Sequence, residues 1–202
     1  EIKFRTLLYN LNTKIMKSFK ITLLAFVTLT LLAFSSDTVK NVNIEDSVVK
    51  WTGYKVTGQH EGTISLKKGT LMFDGKTLTG GKFVMDMTTI NTTDIEGDYK
   101  AKLDGHLKSN DFFGVKKYNT ASLEFISVKG NGTNYNVKAV LIIKGIKDQI
   151  EFKMQVSEDS ATAKLKIDRT KFDIKYGSAS FFDGLKDRAI YDEFDLNVNL
   201  KF

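Results

Sequence analysis

His60 and His106 are the only histidines, and the chain has no cysteine. A structural zinc site needs about four N or S ligands, and a catalytic one about three plus water. No H-x-x-x-H or comparable spacing exists, so carboxylates would have to complete any metal set. Both histidines are therefore expected as hydrogen-bonded residues at strand and helix ends. No G-x-S-x-G elbow is present, and Gly80-Gly81 lacks the surroundings of a phosphate loop. Asn91-Thr92-Thr93 and Asn131-Gly132-Thr133 fit the glycosylation triplet, which arises often by chance, and are assigned nothing. The reading is of no catalytic residue, no metal and no cofactor.

What the sequence does concentrate is flexible and aromatic apolar side chains: Phe83, Met85, Met87, Phe112, Phe113, Phe125, Phe152, Met154, Phe172 and Phe194. Core packing alone accounts for any one of them. Gathered inside one closed sheet, they could instead surround a bound molecule, and methionine adapts to irregular apolar shapes. Each buried CH₂ contributes about 0.8 kcal/mol. A long apolar chain could thus be held without any reactive group.

The elements that must gather them are strands. From Phe194 to Phe202 every second residue is apolar, and the same alternation marks Ile150 to Val156, Ala161 to Ile167, Phe83 to Met87 and Tyr135 to Ile143. Hairpin signals stand at Asp74-Gly75 and Asn131-Gly132. Eight strands are predicted, near 46–57, 60–72, 76–88, 119–130, 133–145, 148–157, 160–168 and 189–202. Many long strands with short turns favour an all-β, closed antiparallel barrel, because closure removes exposed edges. An eight-stranded barrel is just wide enough to fill with side chains or to hold one ligand. Two insertions interrupt the strands. Thr92 to Ser109, with Ile95, Tyr99, Leu103 and Leu107 at spacing four, predicts a one-sided helix against the barrel after the third strand. The irregular stretch from Arg169 to Arg188 is expected over one barrel end.

The first residues read differently. Met16 to Ser36 has basic Lys17 and Lys20, an apolar run from Ile21 to Phe34, and a close on Ala33-Phe34-Ser35. This is the pattern of a cleaved secretory signal peptide. Residues 1–15 precede Met16 and are expected to be translation from upstream of the true start, leaving 37–202 as the folded domain. Of 30 basic and 24 acidic residues, five basic and one acidic precede residue 36. The domain therefore carries 25 against 23 rather than the apparent excess of six, and no basic cluster remains to track a phosphate backbone. Nucleic acid is excluded as a partner on this ground, and a soluble exported, periplasmic protein is expected.

Three blocks then carry a resemblance. WTGYKVTGQHEGTI (Trp51 to Ile64), LTGGKFVMDMTTI (Leu78 to Ile90) and HLKSNDFFGVKKYNTASLEF (His106 to Phe125) resemble the YceI-like polyisoprenoid-binding proteins. KGIKDQIEF (Lys144 to Phe152), IDRTKFDIKYGS (Ile167 to Ser178) and the closing strand continue the match in family order. The resemblance implies an extended lipocalin-like eight-stranded antiparallel β-barrel whose interior holds an isoprenoid lipid such as a polyprenyl quinone, with no enzyme activity. It adds Trp51 and Leu107 to the candidate ligand-binding residues and marks Leu107, Phe112 and Phe113 as a helix-to-strand junction near the pocket. His106 is placed at the helix end, as a cap or near a ligand head group. The family usually has Pro after the Tyr that follows the double Phe; here Asn119 follows Tyr118, and Asn keeps the turn.

Two other readings stay open on the sequence. The terminal Phe202 and the alternating last strand also suit a small outer-membrane barrel, in which an apolar band faces outward and the interior is polar. An enzyme acting on a lipid-like substrate would rest on His60 and His106. A homodimer is compatible with all three.

Overall fold

Period-two alternation becomes nine antiparallel strands in the computed structural model, which describes residues 37–202. The expected signal peptide, 16–36, and the upstream stretch, 1–15, lie outside the described residues. The order is β1 (Asp37–Asn41), β2 (Asn43–Lys55), β3 (Gly58–Asp74), β4 (Thr77–Thr92), α1 (Gly97–Lys108), β5 (Thr120–Asn131), β6 (Asn134–Ile143), β7 (Ile146–Val156), β8 (Ser160–Asp168) and β9 (Ile190–Lys201). Strands β3-β2-β9-β8-β7-β6-β5-β4 are hydrogen-bonded in that sequence, and β4 returns to pair with β3. Eight strands thus form the predicted closed barrel.

The ninth, β1, was not expected. It pairs with the far half of β3, Asp37 opposite Asp74 and Asn41 opposite Thr70. Its apolar signal is absent because it gains hydrogen bonds rather than burial: Val39 is 58% exposed, and Val42 beyond it is the first core residue. An Asn43 side chain that accepts from Glu45 N and Asp46 N separates β1 from the paired part of β2.

Alternation sorts the two faces as the physics of a pleated sheet requires. Tyr135, Val137, Ala139, Leu141 and Ile143 of β6 are all buried, as are Ala161, Ala163, Leu165 and Ile167 of β8. Outward, charged pairs cross neighbouring strands: Lys82 to Glu124 at 3.3 Å, Lys138 to Glu151 at 3.0 Å, Lys166 to Asp195 at 2.9 Å. Such exposed pairs contribute little energy. They do show which face meets water, and it is the opposite of an outer-membrane barrel.

The two ends of the barrel differ. At one end the turns are tight, with Gly75 (φ 58°) and Gly132 (φ 61°) in the left-handed region. Their partners Asp74 and Asn131 are the last paired residues of their strands. This end is plugged by Leu71, Leu78 and Tyr135, whose hydroxyl accepts from Leu78 N and donates to the Gly132 carbonyl. Phe73 and Phe202 pack 6.0 Å apart beside it. At the other end stand the long connections, 93–119 and 169–189.

In the first connection, α1 is shorter than predicted and is held differently. Tyr99 is 78% exposed, and no residue of the helix is fully buried. Of the expected apolar stripe Ile95, Leu103 and Leu107 are half-buried, Leu107 against the core, and polar contacts add to that attachment. Asp104 accepts from the backbone N (2.8 Å) and hydroxyl (2.7 Å) of Thr92, which is 1% exposed, and pairs with Lys100 at 3.1 Å. The Lys100 amine also donates to Asn91 Oδ1 and to the Thr92 carbonyl. Burial opposes the charge on Asp104, but the bonds from Thr92 and Lys100 outweigh it and hold the carboxyl below the ordinary carboxylate range. Because the folded value is depressed, this stabilisation is complete above the ordinary carboxylate pKa and is lost as pH falls through the folded one. Asp104→Ala is expected to cost about 1–3 kcal/mol at neutral pH by orphaning the buried Thr92 donors. Urea unfolding of both proteins at falling pH checks it: the gap narrows once Asp104 is protonated.

Candidate functional site

Above the plug the barrel is hollow. Between the plug and the loop end it encloses a cavity of about 190 Å³, lined along β9 from Ile190 to Leu200. Apolar cavities of about 150 Å³ stay dry and admit benzene-sized molecules, so this space is sufficient for apolar groups.

Eleven of the twelve residues singled out from sequence stand in its wall: Trp51 on β2, Phe83, Met85 and Met87 on β4, Leu107 on α1, Phe112 and Phe113 after it, Phe125 on β5, Phe152 and Met154 on β7, and Phe194 on β9. The rings form two contact runs. Phe83, Phe125 and Phe152 follow one another at 5.8 and 6.0 Å deeper in the barrel, and Phe112, Phe113 and Phe194 at 5.1 and 6.5 Å nearer the loop end. Two glycines make room for this lining. A Cβ on Gly81 would meet the Phe125 ring at 2.8 Å, and one on Gly62 would meet the Trp51 ring at 2.5 Å. The indole of Trp51 donates to the Thr63 carbonyl, which fixes its ring plane.

The double-Phe block owes its position to a compact turn. Phe113 N donates to the Leu107 carbonyl and Gly114 N to the Ser109 carbonyl, with Gly114 at φ 59°. Asn119, in the place of the expected proline, offers its carbonyl to Met87 N at 3.0 Å. That bond joins the block to β4.

Phe172 is the exception. It is 1% exposed but does not line the cavity. It sits in a 3₁₀ turn, Arg169–Phe172, that packs on β7 and β9. There β7 and β8 pair over only Lys153–Val156 and Ala161–Lys164, so a buried side chain beside the rest of β7 fills a seam where the ladder has opened.

The histidines part company. His60 Nδ1 meets Asp94 Oδ2 at 2.8 Å, tying the start of β3 to the chain after β4, as a strand-end histidine should. His106 departs from expectation. Its ring packs 4.4 Å from Tyr176 and 5.6 Å from Phe112, and its buried Nε2 has no hydrogen-bond partner. The helix end is capped by its backbone carbonyl, which accepts from Ser109 N. His106 is not part of the cavity wall.

Sequence reasoning overlooked two kinds of wall residue. Aliphatics such as Val49, Ile64, Leu66, Leu165, Leu196 and Val198 line the cavity; they share the inward parity of the chosen aromatics and were passed over for being ordinary. Arg169 also lines it, at 2% exposure. Its Nε donates to the Tyr191 carbonyl (3.0 Å), Nη1 to Ile174 (2.6 Å) and Nη2 to Ile190 (3.0 Å), with Asp192 at 3.5 Å and the Phe112 ring 5.6 Å away. Burial pushes this guanidinium down from its usual value, while Asp192 and Asp168 oppose the shift. Nothing in R-T-K-F distinguishes it from a surface arginine. At the outer rim, Asp195 is held below its ordinary value by Lys166 and by the Tyr54 hydroxyl, which donates to it at 2.7 Å.

Chemically, then, the wall is a surface of aromatic rings, thioethers and branched alkyls, with Glu193 in it and Arg169 spent on backbone carbonyls. It can exclude water and hold apolar matter.

Relatives agree with the fold. A UPF0312 protein of Pseudomonas aeruginosa is 31% identical over 120 residues, 52% of this chain and 61% of that protein. Protein YceI of Escherichia coli O157:H7 is 34% identical over 85 residues, 42% of each. The chain thus matches under two thirds of the length of these relatives. Among solved structures, Burkholderia cenocepacia BcnA superposes with a TM-score of 0.63 at 20% identity, covering 79% of this chain and 98% of that one. A domain from Saccharophagus degradans described as polyisoprenoid-binding superposes at 0.54 with 15% identity, covering 79% and 95%. Both share the barrel. The sequence profile of the YceI-like domain matches residues 37–202, the whole of the barrel from β1 to the last residue of the chain. On that match the chain belongs to the YceI-like domain family.

Proposed function

We propose that this barrel binds a polyisoprenoid-class lipid, such as an isoprenoid quinone, and carries or sequesters it in the periplasm without transforming it. The observation that carries the reading is the apolar cavity of about 190 Å³ above a solid plug, walled by flexible and aromatic side chains. Branched, unsaturated five-carbon units suit such a wall, and each one buried contributes roughly 3 kcal/mol gross, before ordering costs. The description of the Saccharophagus domain supports this ligand class, and the signal-like segment at 16–36 supports export. The charged outer face speaks against an outer-membrane barrel. His60, engaged with Asp94, and His106, packed between rings, are not in the cavity wall and give an enzymatic reading no support.

Mass spectrometry of an organic extract from protein purified out of its native cell tests the reading. A prenyl lipid at near-stoichiometric amount is the expected result. A polar small molecule, or an empty barrel that takes up no prenyl quinone on titration, would overturn it.

A further inference from the structure

Exposed aromatic side chains in this barrel are segregated. Among the described residues, the strongly exposed ones are Tyr99, Tyr176, Phe181, Phe182 and Tyr191. All five stand at the loop end: one on α1, three in the 169–189 connection, one at the start of β9. Elsewhere the exposed large apolar residues are aliphatic, namely Val39, Ile44, Val48, Met72 and Ile126.

Phe181 and Phe182 lead this set, 50% and 51% exposed. They are held in that position rather than left loose. Both backbone N–H groups donate to the carbonyl of Ser178, which is 0% exposed, and Ser180 Oγ donates to Asp192 at 2.6 Å. A fixed pair of outward phenyl rings is a persistent exposure of apolar area, of the kind that marks an interaction surface. The same connection contributes to the cavity, since Arg169 and Ile190 at its two ends stand in the wall. Whatever covers the phenyl pair therefore sits at the loop end of the cavity, opposite the plug.

Charge indicates what that cover is. Outside Arg169, the 169–189 segment carries four basic residues against the exposed Asp173, Asp183 and Asp187, and Lys175 pairs with Asp173 at 2.8 Å. Arg169 is buried, but Lys171, Lys186 and Arg188 are exposed, and the Lys175 amine lies 5.1 Å from the Phe181 ring. Rings at headgroup depth flanked by Lys and Arg are what a bilayer interface with anionic lipid selects.

We propose that the loop end docks on a bilayer surface bearing anionic phospholipid, with Phe181 and Phe182 entering the interface and Lys171, Lys186 and Arg188 on the headgroups. Docking turns the loop end of the cavity toward a source or sink of lipid. Its purpose rests on the lipid-holding reading above; its measurement does not.

The test uses the barrel as residues 37–202, a unit with its own closed ladder and core, so that the apolar stretch at 21–34 cannot contribute. Co-sedimentation is measured with vesicles of phosphatidylethanolamine and phosphatidylglycerol, for the barrel and for the F181S/F182S double variant, alongside uptake of a fluorescent apolar probe. The barrel is expected to bind these vesicles, more weakly as salt rises, and the double variant to lose about tenfold or more in affinity with probe uptake unchanged. A barrel that ignores the vesicles, or a double variant that binds them equally well, overturns the proposal. So does a concentration-dependent dimer that the double substitution breaks in the absence of vesicle binding, since the patch would then fit a second copy. Vesicle binding without probe uptake would leave docking standing and sink the lipid-holding reading instead.

Discussion

Gly53→Phe is expected to abolish uptake of an apolar ligand while leaving the barrel folded. Gly53 pairs with Phe194 across β2 and β9, and both face the cavity. A Cβ built on Gly53 meets no atom within 4 Å, and its backbone is not in the left-handed region. A side chain added there grows into empty space with no strain at its root. A phenyl ring has the bulk of benzene, which fits in about 150 Å³, so one ring consumes most of the 190 Å³ available. Displacing a single five-carbon unit forfeits about 3–4 kcal/mol, or at least about a hundredfold in affinity. Phe is also a better strand residue than Gly, so thermal unfolding should be unchanged or slightly later. Fluorescence titration with a prenyl quinone, paired with circular-dichroism melting, reads both. Undiminished binding by the variant would show that the ligand lies elsewhere. The contrast with Gly62 is instructive: there a Cβ would stand 2.1 Å from the Asn91 carbonyl, so even Gly62→Ala would damage the fold and report nothing about the cavity.

Arg169→Met is expected to cost about 3–5 kcal/mol of stability. The guanidinium is the joint between the end of β8 and the start of β9. It binds the carbonyls of Ile174, Ile190 and Tyr191, which open the 169–189 connection and close it. Methionine matches the apolar stem but leaves these acceptors without donors, and Asp192 without its cation, in a buried setting. For a domain of this size that amounts to a fall in melting temperature of about 10 °C. Arg169→Lys should recover little of it, because one ammonium cannot span three carbonyls in the planar fork that the guanidinium provides. Limited proteolysis should open first within 175–188 in either variant. A melting temperature within about 2 °C of the parent would mean that the connection is anchored by packing alone.

The two substitutions fall on opposite sides of what could be read from the residues. Gly53 lies in a strand whose inward parity is legible, Val49 and Trp51 preceding it at spacing two. That parity placed Phe83, Met85, Met87, Phe125, Phe152, Met154 and Phe194 on one shared interior before any coordinates. The barrel itself was legible for the same reason: a half-buried strand writes its orientation into every second residue. Where burial is not the organising force, the signal vanishes. β1 joins by edge hydrogen bonds and shows Val39 to water; α1 is fastened largely by Asp104, Lys100 and Thr92, and of its spacing-four residues Leu107 packs on the core while Tyr99 stays in water. Phe172 looked like its neighbours in type, but it fills the seam beside β7 rather than the cavity.

Sequence by itself determined the class of sheet, the inward residues and the apolar character of the wall they form, because alternation and side-chain chemistry are local properties of the chain. Only the tertiary structure decided that one end of the barrel is plugged while a cavity runs from the plug to the loop end, that Arg169 is interior, and that the exposed rings share the loop end. Those facts depend on which distant strands meet and how completely their side chains fill the space between them, and that filling is a property of the closed barrel rather than of any segment.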